Sequence, residues 1–243
     1  MTDALFLDES LADPLPAVGS ELELGGDEGR HAAVVRRIGP GEPVLVADGR
    51  GRGVRTVVLA ASRTGLRLRV EEHLHAPAPD VELVVVQALA KGDRAELAVE
   101  MLTEVGVSQV WPWQASRSIV RWSAERGDKA LARWRSTARE AAKQSRRLRV
   151  PEVPPVLSTA RLVEEVGRAE LTLVLHEDAT LPLREVALPE RGRVLLVVGP
   201  EGGISPEELE RLTGAGARAV LLGDGVLRTS TAGVVALAGL LLR

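Results

Sequence analysis

The chain has 243 residues, 45% of them hydrophobic and 27% charged, a balance that allows one large globular domain or two modest ones and excludes a disordered or collagen-like chain. With no Cys and four His, a disulfide framework, a thiolate metal site and a Cys nucleophile are excluded, and no metal is expected. The formal net charge of −3 argues against a surface that binds nucleic acid indiscriminately.

Residues 1–28 carry eight acids and no Lys or Arg, the opposite of an export signal's basic start. The segments Pro43–Asp48, Val54–Ala60 and Leu66–Val70 are rich in Val and Leu and are separated by Gly-rich turns such as Asp48-Gly49-Arg50-Gly51, which predicts a small β-rich domain. Arg30 to Arg69 hold nine Arg against Glu42 and Asp48, either a polyanion surface or a solvated face with ion pairs. The stretch Ala76-Pro77-Ala78-Pro79-Asp80 reads as a linker.

Beyond it the pattern changes. Val81–Leu89 is an apolar, β-branched run, and Asp93–Val105 follows with Leu97, Met101, Leu102 and Val105 on one helical face and Gly106 placed as a C-cap. Strand-like runs recur at Gln109–Trp113, Leu171–His176, Arg193–Val198 and Ala219–Leu222, with helical patterns between them. Such alternation, with nearly continuous apolar strands, predicts a parallel sheet covered on both faces. Within it, residues 117–149 hold eleven basic side chains and three acids, a local +8 that leaves −11 for the rest of the chain. Lys129–Leu148 reads as a helix with Leu131, Trp134, Ala138, Ala141, Ser145 and Leu148 on its buried stripe. Arg135, Arg139, Lys143 and Arg147 step by four on another face, a row suited to phosphates. All four Trp (111, 113, 122 and 134) lie in or near this region, able to stack on bases but better suited to core packing. The last apolar run, Ala232 to Leu242, is too short to span a bilayer, so a cytoplasmic protein without a membrane partner is expected. A helix apolar all round must be buried in a core or at a subunit interface.

Two loops carry the strongest chemical signals. Residues 194–208 read VLLVVGPEGGISPEE: an apolar strand, the loop Gly199-Pro200-Glu201-Gly202-Gly203, then a helix start with Ser205 as N-cap, Pro206 at the first position and Glu208 completing a capping box. The spacing is neither a dinucleotide fingerprint nor a P-loop. Glu201 would repel a pyrophosphate, so a neutral or cationic ligand fits if the loop is more than a tight turn. Residues 221–233 read LLGDGVLRTSTAG, with Thr229 or Ser230 as cap of the apolar helix. Arg228 before it must be paired or exposed in a cleft. His176-Glu177-Asp178 ends a strand at the same side.

Four blocks together resemble the RsmE-type 16S ribosomal RNA (uracil-N3) methyltransferases of the SPOUT class. They are MLTEVGV at 101–107 with Arg117-Ser118, RW at 133–134 through AAKQSRRLRVPEV at 141–153, GPEGGIS at 199–205 with LGDGVLRTSTA at 222–232, and His31, Arg37, Gly41 and Asp48-Gly49-Arg50-Gly51 near the start. Ser230 and Lys143 stand where the family commonly has Glu. The resemblance implies an α/β fold. Residues 1–72 would form a PUA-like RNA-binding β-barrel, and residues 73–243 a SPOUT domain with a parallel sheet and a C-terminal trefoil knot. It implies S-adenosylmethionine held by Leu175, His176 and Glu177, by Gly199, Glu201, Gly202 and Gly203, and by Leu222, Gly223, Val226 and Leu227. The implied partners are 16S ribosomal RNA in the small subunit and a second copy of the chain. Arg30, Arg37, Arg50, Arg121, Arg135, Arg139, Lys143, Gln144 and Arg147 become the candidate RNA contacts.

Uridine N3 carries a proton and lies on the pairing edge, so the base must be unpaired and its imide anion stabilised. Arg228 and then Arg117 are the candidate catalytic residues; Glu201 and His176 are the candidate bases. Other readings are a SPOUT enzyme acting on another RNA atom, a non-catalytic RNA-binding assembly factor, and a small-molecule enzyme on a doubly wound sheet.

Overall fold

The computed structural model describes residues 3–242, which divide into two compact units. The first comprises the chain up to Ala78 together with Ala142–Val150; the second comprises Pro79–Ala141 and the chain from Pro151.

In the first unit, β1 (Ala4–Leu7), β2 (Glu21–Leu24), β3 (Pro43–Ala47), β4 (Arg52–Ser62) and β5 (Gly65–His75) form one sheet in the order β1-β3-β4-β5-β2. A short helix α1 (Gly26–Arg30) runs into a π-helical turn at His31–Val35. Strict alternation makes β5 a strand with one dry face: Leu66, Leu68 and Val70 are buried while Arg67 and Arg69 face water. They meet Phe6, Leu24, Val44, Val46 and Val54 in one core. The β3–β4 turn is organised by the buried Asp48 carboxylate, which accepts from Arg50 N (2.7 Å), Arg52 N (3.0 Å) and Arg52 Nε (3.0 Å). Strands β4 and β5 are longer than their apolar cores suggest, because pairing continues past polar residues to Arg52–His75. The first unit therefore continues past the expected boundary at residue 72 and ends inside the Ala-Pro stretch, at Ala78. It is completed from far along the chain: Leu148 and Val150 pack on Leu5, Leu7 and Ala47.

The second unit has a six-stranded, wholly parallel sheet. Its strands are β6 (Val81–Ala88), β7 (Gln109–Gln114), β8 (Leu157–Ser158), β9 (Leu171–Leu175), β10 (Gly192–Val198) and β11 (Arg218–Val220), in the order β11-β9-β10-β6-β7-β8. The helices are α2 (Arg94–Val105), α3 (Ala124–Gln144), α4 (Thr159–Val166), α5 (Pro206–Gly214) and α6 (Thr229–Leu241). Central strands β6 and β10 carry the apolar runs Leu83–Val86 and Val194–Val198 because both faces of the sheet are covered there. Leu162 and Val166 of α4 and Leu212 of α5 pack with Val84, Val86, Trp111, Trp113, Leu195 and Val197. Helix α6 approaches so closely that a Cβ on Gly233 would lie 3.1 Å from Val198 and 3.4 Å from Val85. Gly106 ends α2 at φ 120°, a conformation glycine adopts without strain.

Three sequence expectations are corrected. Helix α3 covers 124–144 rather than 129–148. Arg146 takes a left-handed conformation (φ 57°), and Arg147 N closes back on the Ala142 carbonyl at 2.9 Å, which terminates the helix. The cap of α6 is Arg228, without a side-chain cap bond, and Thr229 is the first helical residue. Strand β11 ends at Val220, because Leu221 pairs with Leu181 and Leu183 instead. No helix among the described residues is long and apolar enough to cross a membrane.

Candidate functional site

Parallel strands β11, β9 and β10 are neighbours, so their carboxyl ends release three segments side by side: Leu221–Arg228, His176–Asp178 and Gly199–Gly203. In an open parallel sheet this end is where ligands bind. The first glycine loop is tightly folded. Gly203 N donates to the Pro200 carbonyl at 2.9 Å, and Gly203 sits at φ 72°. A Cβ on Gly199 would come within 2.8 Å of Ile204. The expected capping box behind it is present: Glu208 N donates to Ser205 Oγ (3.2 Å) and Ser205 N to Glu208 Oε2 (3.4 Å).

The second loop exposes Gly223 to Arg228 and is anchored at both ends. Leu221 exchanges backbone bonds with Leu181 and Leu183, both 2.8 Å. At the other end the Thr229 hydroxyl donates to the Gly199 carbonyl (2.7 Å) and accepts from Gln87 Nε2 (3.0 Å). His176 N donates to the Val220 carbonyl (3.1 Å), and its Nδ1 accepts from Asp178 N (3.2 Å). The imidazole thus shapes a turn at the end of β9.

The structure brings the expected donor-site residues Leu175, His176, Glu177, Gly199, Glu201, Gly202, Gly203, Leu222, Gly223, Val226 and Leu227 to this one end of the sheet. Glu201 Oε1 accepts from Lys91 N (3.2 Å) and lies 4.0 Å from Arg94 Nη1, at a cleft shared with Leu97 and Ile119. Arg117 occupies a turn closed by Ser118 N to Ala115 O (3.1 Å), and its Nη1 donates to the Gly202 carbonyl at 3.3 Å. Arg228 is exposed and makes no ion pair among the described residues, which answers the requirement that it be paired or face a cleft.

Glu208 does more than cap. It is 5% exposed, yet its carboxylate accepts from Ser116 N (2.8 Å), Ser116 Oγ (2.7 Å) and Thr159 Oγ1 (2.7 Å) besides Ser205 N. Burial pushes against its charge, but the bonds from Thr159 and Ser116 outweigh it and hold the carboxyl below its ordinary range. The motif indicated only the cap. The other bonds come from residues some fifty and ninety positions away in sequence, as does the Thr229–Gln87 pair, and no local signal announces them.

The expected row of cations on α3 is not a row. Lys143 is a largely buried partner of Glu28 (3.0 Å). Arg147 lies beyond the helix, half-buried, where desolvation depresses its guanidinium. Arg139 is half-buried as well, and Arg135 Nε donates to the Val153 carbonyl (2.9 Å). Arg121 is exposed and donates to the Ser116 carbonyl (3.2 Å); Gln144 is exposed at the end of α3. Arg30, Arg37 and Arg50 are exposed on the first unit. Trp111, Trp113 and Trp134 are buried, and Trp122 stands edge-on to Trp134 at 5.3 Å, so the tryptophans pack the second unit. His73 Nε2 bonds the Pro16 carbonyl (2.8 Å). No group of three or more metal-binding side chains occurs among the described residues.

Residues 77–241 match the family model described as an RNA methyltransferase domain. The chain is 52% identical over 229 residues to a Mycobacterium bovis protein named ribosomal RNA small subunit methyltransferase E, covering 93% of this chain and 87% of that one. It is 30% identical to the Bacillus subtilis protein of the same name, with coverage of 88% and 87%. The chain belongs to the ribosomal RNA small subunit methyltransferase E family. Among solved structures it is similar to the family member from Neisseria gonorrhoeae bound to S-adenosyl methionine. The TM-score is 0.85 at 25% identity, covering 98% of this chain and 96% of that chain. A Legionella pneumophila methyltransferase in complex with the same cofactor gives a TM-score of 0.87 at 26% identity, covering 100% and 98%. The family model spans both glycine loops, Arg117, Glu208 and Arg228, whereas the full-length relatives also match most of the first unit.

Proposed function

We propose that the protein transfers a methyl group from S-adenosylmethionine to N3 of a uridine in the 16S ribosomal RNA of the small subunit, and does so as a cytoplasmic homodimer. The observation that carries this reading is the junction of the two glycine loops at the ends of β9, β10 and β11, in a chain of this family. Two structural relatives over the whole chain hold the same donor.

The residues present fit that donor. Glycines at 199, 202 and 203 leave backbone where a Cβ would collide or strain, and Gly223 and Gly225 open onto free space. Leu175, His176 and Glu177, Gly199 to Gly203, and Leu222 to Leu227 would hold it, with Glu201 compatible with a positive charge. When bound, S-adenosylmethionine supplies an electrophilic methyl on a cationic sulfur. The chain's own contribution is to hold an extruded uracil in line, accept the N3 proton, and stabilise the negative charge on the flanking carbonyls. Arg117, laid along Gly202, and the exposed Arg228 serve the last role. Glu201 and His176, both at this end of the sheet, are the candidates to take the proton.

In this reading residues 1–72 act as a PUA-like RNA-binding barrel, and residues 73–243 as a SPOUT domain whose C-terminal segment is knotted. The exposed arginines 30, 37, 50, 121 and 135 contact phosphates. The dimer reading is supported by apolar residues exposed on the second unit: Ile119 is 70% exposed, Val226 81% and Leu242 87%, with Val235 and Leu241 of α6 also exposed. A second copy would cover them.

The test uses 16S RNA and small subunits from cells lacking the gene, incubated with the protein and labelled S-adenosylmethionine, then digested to nucleosides. Labelled 3-methyluridine is the expected product. Another labelled nucleoside overturns the specificity. No label, with no donor binding, overturns the enzymatic reading.

A further inference from the structure

We infer that Glu208 is a positioning residue for methyl transfer, acting through Ser116 on Arg117. This rests on the proposed role of Arg117. A carboxylate that is 5% exposed is costly to bury and persists only when its oxygens are fully engaged. Here all four of its bonds come from groups that frame one place. Ser205 starts the helix behind the first glycine loop, Thr159 opens α4, and Ser116 binds it twice, through its backbone N and its hydroxyl.

The double hold on Ser116 matters because Ser116 and Arg117 are the central residues of the turn closed by Ser118 N to Ala115 O. That turn is exposed at both central positions, between the buried Ala115 and Ser118. Two bonds to a charged acceptor set the backbone direction from which the Arg117 side chain leaves. The outcome is the contact of Arg117 Nη1 with the Gly202 carbonyl (3.3 Å), with Arg117 Cβ only 3.3 Å from where a Cβ on Gly202 would stand. A chain of contacts therefore runs from Glu208 through Ser116 and Arg117 to the donor loop. One carboxylate sets both partners, since it also caps the helix that follows that loop.

The test compares Glu208→Gln, Ser116→Ala and Arg117→Ala, singly and as the doubles Ser116→Ala/Arg117→Ala and Glu208→Gln/Arg117→Ala. The readouts are kcat and KM for RNA, the S-adenosylmethionine dissociation constant by calorimetry, and thermal unfolding. Gln preserves the cap, because Glu and Gln both serve at that position. Expected are a kcat lowered about tenfold in Glu208→Gln and about threefold in Ser116→Ala, the sizes of losing charge-assisted bonds in part. Donor affinity should stay within about twofold, and neither substitution should lower kcat further once Arg117 is Ala. Ser116 is exposed, so its variant folds and keeps the test open if Glu208→Gln does not. If Arg117→Ala loses activity while Glu208→Gln and Ser116→Ala do not, the positioning role is overturned and the catalytic one stands. Equal losses with and without Arg117 also overturn it. Full activity in Arg117→Ala overturns both.

Discussion

The Thr229 hydroxyl donates to the Gly199 carbonyl at 2.7 Å while accepting from Gln87 Nε2 at 3.0 Å. One hydroxyl thereby locks the end of the second glycine loop against the start of the first, beside the central strand β6. Valine at 229 preserves the shape but takes the hydroxyl donor from the Gly199 carbonyl, at roughly 1–3 kcal/mol, and leaves Gln87 Nε2 only the Ala88 and Thr229 carbonyls. Thr229→Val should lower the unfolding temperature and weaken S-adenosylmethionine binding about tenfold, whereas Thr229→Ser should restore most of both. Calorimetric titration and thermal melts read the two effects separately.

Gly203 stands at φ 72°, and the nearest atom to a Cβ there would be Arg117 Nη1 at 3.9 Å. The cost of a side chain is thus conformational rather than steric, about 1–2 kcal/mol for a left-handed residue. Gly203→Ala should weaken donor binding about tenfold. Gly203→Asn should weaken it less, because Asn tolerates this conformation. Equal losses for Ala and Asn would mean that space, not backbone strain, governs the position.

In the proposed mechanism Arg228 and Arg117 stabilise the negative charge that develops on the uracil. Removing one donor of an oxyanion-stabilising pair costs about 10²–10³ in rate. Arg228→Ala should therefore lower kcat by that order with the donor dissociation constant unchanged, as measured by single-turnover methylation and by calorimetry. Full activity would remove Arg228 from the chemistry.

Lys143 is paired at 3.0 Å with Glu28, their side chains 10% and 16% exposed. Lys143→Glu would set two carboxylates together in a poorly solvated place. Breaking such a pair costs about 3–5 kcal/mol, which should appear as a large drop in unfolding temperature. The double exchange Glu28→Lys/Lys143→Glu should recover much of it.

Two buried carboxylates make the fold acid-sensitive. Desolvation opposes the charge of Asp48, but bonds from Arg50 and Arg52 hold its carboxyl below the ordinary 3.8. Glu208 is likewise held below the ordinary 4.5. A depressed carboxyl contributes stability that is complete above its unfolded value and lost as pH falls through the folded one. Melting temperature should therefore fall as pH drops below the ordinary carboxylate values of 3.8 and 4.5, and less steeply in Asp48→Asn and Glu208→Gln, each of which starts lower.

Local sequence was sufficient wherever one element's own residues decide its state. The Val- and Leu-rich stretch Leu66–Val70, the nearly continuous apolar runs of β6 and β10, the Ser205–Glu208 box and Gly106 after α2 each satisfy a backbone or burial requirement within a few residues. For that reason they were legible before any fold was known. Both glycine loops were legible as well, since a strand running into glycines and then a cap is a local pattern.

Tertiary structure decided what depends on residues distant in sequence. It turned Thr229 from a cap into a tie between loops and gave Glu208 partners at Ser116 and Thr159. It ended α3 at a left-handed Arg146 and drew residues 142–150 into the first unit. It also took Lys143 and Arg147 out of the row that helical spacing implied. A periodic pattern reports which residues share a face, but a charge on that face is free only if no distant group has claimed it, and only the packed chain brings such groups together.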